Sequence, residues 1–207
     1  MMRIWGRTNS SNVMKVLWLL DELALTCERI DAGRHFGRTD TAEYLAMNPL
    51  GLVPTLEEDG FSLFESNAIL RYLCNAYAPG HALYPAAARP RGMVDAWLDF
   101  QQTALNRPQS IVYLGLVRTE EAQRDHAAIS AAVAEAGRIW GLLDARLADR
   151  AYVAGEAMTL ADIAFGVHVH RWFILPIARP DSPHLHAWYG RLLARPAYKA
   201  HAALSLS

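Results

Sequence analysis

The sequence predicts a small α/β domain of order β-α-β-α-β-β-α followed by an all-helical domain. Three observations carry this. Strand-like and helix-like segments alternate through residue 79, a stretch holding Pro79, Gly80, Pro85 and Pro90 interrupts them, and beyond it the strand signals stop. Residues 1–79 are therefore assigned to the α/β domain, 80–90 to a linker and 91–207 to the helical domain.

The elements follow in order. Arg3-Ile4-Trp5-Gly6 is a short apolar run closed by glycine, a first strand. Val13, Val16, Leu17, Leu20 and Leu23 recur at helical spacing, with Lys15, Asp21 and Glu22 mostly off that face. Residues 27–32 alternate and stop at Gly33, a second strand. Asp40-Thr41-Ala42-Glu43 reads as a capping box opening a short helix that ends before Pro49. Residues 53–57 and 61–64 flank Glu58-Asp59-Gly60, a hairpin signal. Ser66 then caps a helix with Ala68, Ile69, Tyr72, Leu73 and Ala76 on one face.

After Pro90, Val94, Trp97, Leu98, Gln101, Ala104 and Leu105 share one helix face. Ile129, Val133, Ala136, Trp140, Leu143 and Leu147 share another. Thr159-Leu160-Ala161-Asp162 is a second capping box, ahead of a run that is apolar nearly all round through Ile174; such a helix wants burial. Leu185, Trp188, Tyr189, Leu192 and Leu193 mark a last helix, opened by Ser182-Pro183 and ended by Pro196.

Composition narrows the function classes. Hydrophobic residues at 52% and charged residues at 20% exclude a disordered chain. A net charge of −1 argues against a general nucleic-acid binder and against a polybasic membrane anchor. No apolar run has the length of a membrane span, and the N-terminus lacks the apolar core of a signal peptide. Two cysteines, Cys27 and Cys74, make no disulfide framework and have no zinc spacing, so no metal and a reducing, cytoplasmic setting are expected.

Three motifs fall at one end of the expected sheet. They are Asn9-Ser10-Ser11-Asn12-Val13 before the first helix, Gly51-Leu52-Val53-Pro54-Thr55-Leu56 entering the hairpin, and Phe64-Glu65-Ser66-Asn67-Ala68-Ile69 opening the third helix. With Asn48-Pro49-Leu50 ahead of the second motif, and Tyr152-Val153-Ala154-Gly155 ahead of Thr159-Leu160-Ala161-Asp162-Ile163, the chain resembles a soluble, bacterial-like glutathione transferase of the serine type. The resemblance runs from about Arg3 to about His201 and implies a thioredoxin-like first domain and a helical second domain.

It also implies roles. The family holds its Val-Pro bond cis, so Val53-Pro54 is expected cis, with the Val53 backbone pairing the cysteinyl unit of glutathione like an added strand. The plainer alternative is that Pro54 starts an edge strand. Ser66 at a helix N-terminus suits the γ-glutamyl carboxylate, and Glu65 suits the ammonium. Ser66 can also act purely as a cap.

Ser10 is the expected catalytic hydroxyl, because serine-type members place the serine in a turn followed by an Asn-Val pair, the frame of Ser10-Ser11-Asn12-Val13. A hydroxyl is too weak a base to take the thiol proton; it acts as a donor to the thiolate, helped by the helix dipole. Asn12 can supply a second donor, Ser11 can replace Ser10 if the register slips, and any of Asn9, Ser10 and Ser11 can be a simple cap. His35 lies where some relatives place a glutathione-touching glutamine, although loop histidines are usually just solvated. Leu52 stands where many relatives carry a polar residue. No cysteine lies near Ser10, against the cysteine-type members.

The electrophile of family members sits between the domains, which implicates Thr103, Arg107 and Trp172, with Phe100 and Ala104 nearby. Three functions are compatible with these residues: transfer of glutathione to a hydrophobic electrophile, glutathione-dependent disulfide reduction or peroxide reduction, and non-enzymatic binding on the same fold. Glutathione is then a co-substrate rather than a resident cofactor. The resemblance also implies a homodimer, to which six tryptophans, eight tyrosines and six phenylalanines give indirect support.

Overall fold

A computed structural model describes residues 1–206. Its α/β part follows the expected order: β1 Arg3–Trp5, α1 Ser11–Glu22, β2 Glu28–Ile30, α2 Ala42–Met47, β3 Thr55–Glu58, β4 Phe61–Phe64 and α3 Ser66–Tyr77. The sheet order is β2-β1-β3-β4, with β1 parallel to β2 and antiparallel to β3. Asp59 and Gly60 both take positive φ, 48° and 83°, the twist a two-residue hairpin between β3 and β4 requires. Ile4 and Leu56 face one another across β1 and β3 and are fully buried.

Local details depart from expectation. Ser66 is the first residue of α3, and Glu65 holds the N-cap position at φ 68° without a side-chain capping bond, because the chain must turn from β4 into the helix within one residue. Thr41, not Asp40, caps α2, accepting from the Tyr44 N–H. Lys15 is fully buried. Helix α1 packs on α3 and also on two helices of the second part, Leu160–Ile174 and Pro196–His201, so it has little solvent face to offer a charge.

The helical part begins earlier than predicted, at Ala88, with Pro90 tolerated in the first turn. Its elements are α4 Ala88–Phe100, α5 Asn106–Tyr113, α6 His126–Arg146, α7 Leu160–Ile174, α8 Pro183–Leu193 and α9 Pro196–His201. Pro196 opens α9 rather than only ending α8; a proline suits either position, since N1 needs no hydrogen-bonded N–H. Two π turns, Gln101–Leu105 and Leu114–Arg118, flank α5. Each adds a residue to a helical turn and rotates everything after it by roughly 100°.

One hydrophobic core joins both parts and holds Trp18, Trp140, Trp172 and Trp188. Trp172 stacks near Trp140 with centroids 6.2 Å apart, so it is core and not ligand wall. Gly166 of α7 lets α1 approach: a Cβ there would meet Trp18 at 2.6 Å. The Tyr198 hydroxyl donates to the Gly166 carbonyl at 2.8 Å and its ring meets Trp18 edge-on. The expected capping box is present at Thr159–Asp162. No helix of the described residues is long and apolar enough to cross a membrane.

Candidate active site

A cavity of about 370 Å³ opens where the C-terminal end of β1, the N-terminus of α1 and the turn before β3 face α5 and α7. Ser10 lines it as the N-cap residue of α1, in an extended conformation with φ −90° and ψ 122°. Its carbonyl accepts the Met14 N–H at 2.8 Å, yet its hydroxyl makes no capping bond. That hydroxyl is therefore not committed to holding the helix, and Ser10 is only 8% exposed.

Val53 lines the same cavity, and the Val53-Pro54 bond is cis. The turn ahead of it is anchored: the Leu52 carbonyl accepts from the Tyr44 hydroxyl at 2.6 Å and from Asn48 Nδ2 at 2.8 Å. Asn48 also donates to buried Thr55 at 3.0 Å, so α2 fixes the height of Val53 above β3. Asn12 lines the cavity and accepts the Ser66 hydroxyl through Oδ1 at 3.2 Å, which leaves its NH2 as the donor end.

Of the expected residues, the structure brings Ser10, Asn12 and Val53 to the cavity. Pro54, Glu65 and Ser66 stand outside its lining, Ser66 one hydrogen bond behind Asn12 and Glu65 exposed. His35 is exposed and stacks on Phe36, 4.0 Å between centroids, while its neighbours Gly33 and Arg34 line the cavity. Thr103 and Arg107 are exposed and off the lining; Thr103 bonds the Asp99 carbonyl of its own helix. Beyond the π turn at Gln101–Leu105, Asn106, Gln109, Ser110 and Tyr113 take that wall instead.

Two groups of residues were not anticipated. The first is a buried polar cluster under α1. Lys15 Nζ donates to Gln101 Oε1 at 2.8 Å, Asn67 Oδ1 at 3.3 Å and Ser66 Oγ at 3.4 Å. Gln101 in turn contacts His168 Nε2 at 3.1 Å, and His168 lines the cavity. Burial pushes the Lys15 ammonium down to about 7, with Glu65 opposing only in part, and the same burial keeps His168 well below its ordinary value. The second group is arginine: Arg7, Arg34, Arg118 and Arg171 all line the cavity. These come from four separate segments, so neither spacing nor periodicity could have gathered them. Among the described residues no group of three or more His, Cys, Asp or Glu side chains is placed to hold a metal ion.

The Lys15 shift has a measurable consequence. Its folded pKa, about 7, lies below the unfolded value, so above pH 7 the unfolded chain holds a proton the folded chain has lost. Stability therefore rises with pH through that window and is lost as pH falls back. The stability of the wild type relative to Lys15→Met is expected to grow by about 2 kcal/mol from about pH 7 to about pH 9, measured by urea unfolding. A difference that stays flat with pH would mean that the ammonium remains charged when folded.

Residues 1–75 match the family model for the glutathione S-transferase N-terminal domain, and residues 104–196 that for the C-terminal domain. The chain is 40% identical over 201 residues to glutathione S-transferase GstB of Escherichia coli K12, with 96% of each chain covered. It is 30% identical to glutathione S-transferase 4 of Zea mays, over 94% of this chain and 89% of that one. Among solved structures it is similar to the theta class glutathione S-transferase of Xanthomonas axonopodis pv. citri with glutathione bound. There the identity is 44%, the TM-score 0.95, and coverage 100% of this chain and 99% of that chain.

Proposed function

Because the chain belongs to the glutathione S-transferase family, we propose that its cavity holds glutathione and that the protein transfers the tripeptide's thiolate to a small electrophile with an apolar body. The observation that carries the role of Ser10 is its hydroxyl, free of any capping bond and nearly buried at a helix N-terminus in the cavity that Val53 also lines. A hydroxyl so placed donates to the sulfur and favours the thiolate, and the α1 dipole acts in the same direction.

The rest of the tripeptide follows. The Val53 backbone pairs the cysteinyl unit. The first turn of α3, with Ser66, takes the γ-glutamyl carboxylate, and Glu65 takes the ammonium. Arg34, rather than His35, stands at the glycyl end, beside Val53 and Gly33. Asn12 supplies a second donor toward the sulfur. In the reaction the thiol proton goes to solvent, the sulfur–carbon bond forms, and the leaving group departs with its electron pair. Cys27 and Cys74 lie outside the cavity lining, so the reacting sulfur is that of glutathione.

The test is turnover of a panel of aryl halides, epoxides, peroxides and disulfides with glutathione, together with the ultraviolet absorbance of bound thiolate. Conjugation and a thiolate that titrates below the free thiol are expected. Binding without a lowered pKa or any turnover would leave a glutathione-binding protein instead. Two copies of the chain, in the cytoplasm, complete this reading; exposed Leu50 and Leu52 near the cavity support the pairing, and sedimentation as a monomer would count against it.

A further inference from the structure

We propose that the electrophile carries an oxyanion, an organic acid rather than a plain hydrophobe, and that Arg118 and Arg171, with Arg7, bind that group beside the sulfur. This rests on the transferase reading for the identity of the first ligand.

Four guanidinium groups line one small cavity, and none of its described lining residues is Asp or Glu. Elsewhere Arg3, Arg29, Arg71, Arg150 and Arg195 each pair with a carboxylate, but no ion pair among the described residues involves these four. Arg7 and Arg118 also keep buried Nε–H donors without a partner. Gln109 joins them: its Oε1 accepts from Trp140 at 3.3 Å, which orients the amide and leaves a buried, unpartnered Nε2. Donors left unmet inside a protein are costly, and an oxyanion is the acceptor that would meet them. Burial disfavours the charged forms of Arg7 and Arg171, and like charge adds to it, from Arg34 and Arg118 on Arg7 and from Arg118 and Arg7 on Arg171.

Position separates this anion from glutathione's own carboxylates. Ser66 lies behind Asn12, and Arg34 sits on the α/β side. Arg118 and Arg171 come from the helical part, the second π turn and α7. Arg171 donates to the carbonyl of Asn9, next to Ser10, at 3.0 Å. Its guanidinium lies 4.0 Å from the Tyr113 ring centre and that of Arg118 lies 5.8 Å from it, so one aromatic ring helps hold both cations. An acid bound there has its reactive carbon within reach of a thiolate at Ser10.

A chlorodinitrobenzoate and its methyl ester form a matched pair of probes. With each, the glutathione sulfur bonds to the ring carbon, the carbon–chlorine bond breaks, chloride leaves with the electron pair, and the thiol proton goes to solvent. The rate enhancement over the uncatalysed reaction is expected to be about tenfold or more larger for the acid, the lower range for a hydrogen bond to a charged group. That ratio should fall as salt is added to the wild type, and should fall about tenfold in Arg118→Met while Arg118→Lys retains part of it. Calorimetry of the two preformed glutathione conjugates should show the same preference without turnover. Equal or better handling of the ester, or an Arg118→Met variant that weakens both conjugates alike, overturns the proposal. Equal turnover of both probes sinks the anion site and leaves the transferase intact; tighter binding of the acid conjugate without any turnover does the reverse.

Discussion

Asp162→Ala is expected to lose roughly 3–5 kcal/mol of folding stability, since each buried donor left without an acceptor costs about 1–3 kcal/mol. The Asp162 carboxylate is fully buried and accepts from the Val153 N–H at 2.9 Å, the Thr159 N–H at 2.8 Å and Trp188 Nε1 at 2.9 Å, with the Thr159 hydroxyl at 3.2 Å. One side chain thus ties the start of α7 to the preceding loop and to α8. Burial pushes its pKa up while the four donors pull it down, and burial wins. Asp162→Asn keeps the size and one acceptor oxygen but turns an NH2 toward another donor, so its loss should be intermediate. Domains of this size are held by about 5–15 kcal/mol in total, so the alanine variant should unfold at much lower urea. A loss below about 1 kcal/mol would mean that water replaces the carboxylate at those donors.

This anchor was legible in the sequence because a capping box is a local signal: Thr159 and Asp162 are three residues apart and the chemistry follows from the spacing. The β3–β4 hairpin was legible for the same reason, through Asp59-Gly60. What was not legible depends on how the elements pack against one another. Thr103 and Arg107 were implicated by resemblance alone, and both stand exposed and off the cavity lining, within and just beyond the π turn at Gln101–Leu105. Trp172 sits in a helix apolar nearly all round, where the sequence marks no face, and packing alone decides that it joins the core. Lys15 lies off the apolar face that the spacing gives α1, yet it is buried because α3, α7 and α9 all pack on that helix. The four arginines of the cavity are gathered only by tertiary structure.

Ser10→Ala should slow conjugation by about tenfold or more with little change in glutathione affinity. The hydrogen bond from its hydroxyl to the thiolate contributes roughly 1.5–3 kcal/mol, and about 1.36 kcal/mol corresponds to one pKa unit or tenfold in rate. The bound thiol's pKa should therefore rise by about one to two units, read from thiolate absorbance. Affinity should hold, since the proposed contacts of Val53, Glu65 and Ser66 are to other parts of the tripeptide. The alternative, a helix cap, predicts something different: a loss of about 1 kcal/mol in stability with an unchanged thiol pKa. The hydroxyl makes no capping bond, so stability should barely move. Asn12→Ala should give a smaller pKa rise, because Asn12 Oδ1 already holds the Ser66 hydroxyl and only its NH2 is left to donate. A larger rise in Asn12→Ala or Ser11→Ala than in Ser10→Ala would move the main donor to that residue and leave the site itself in place.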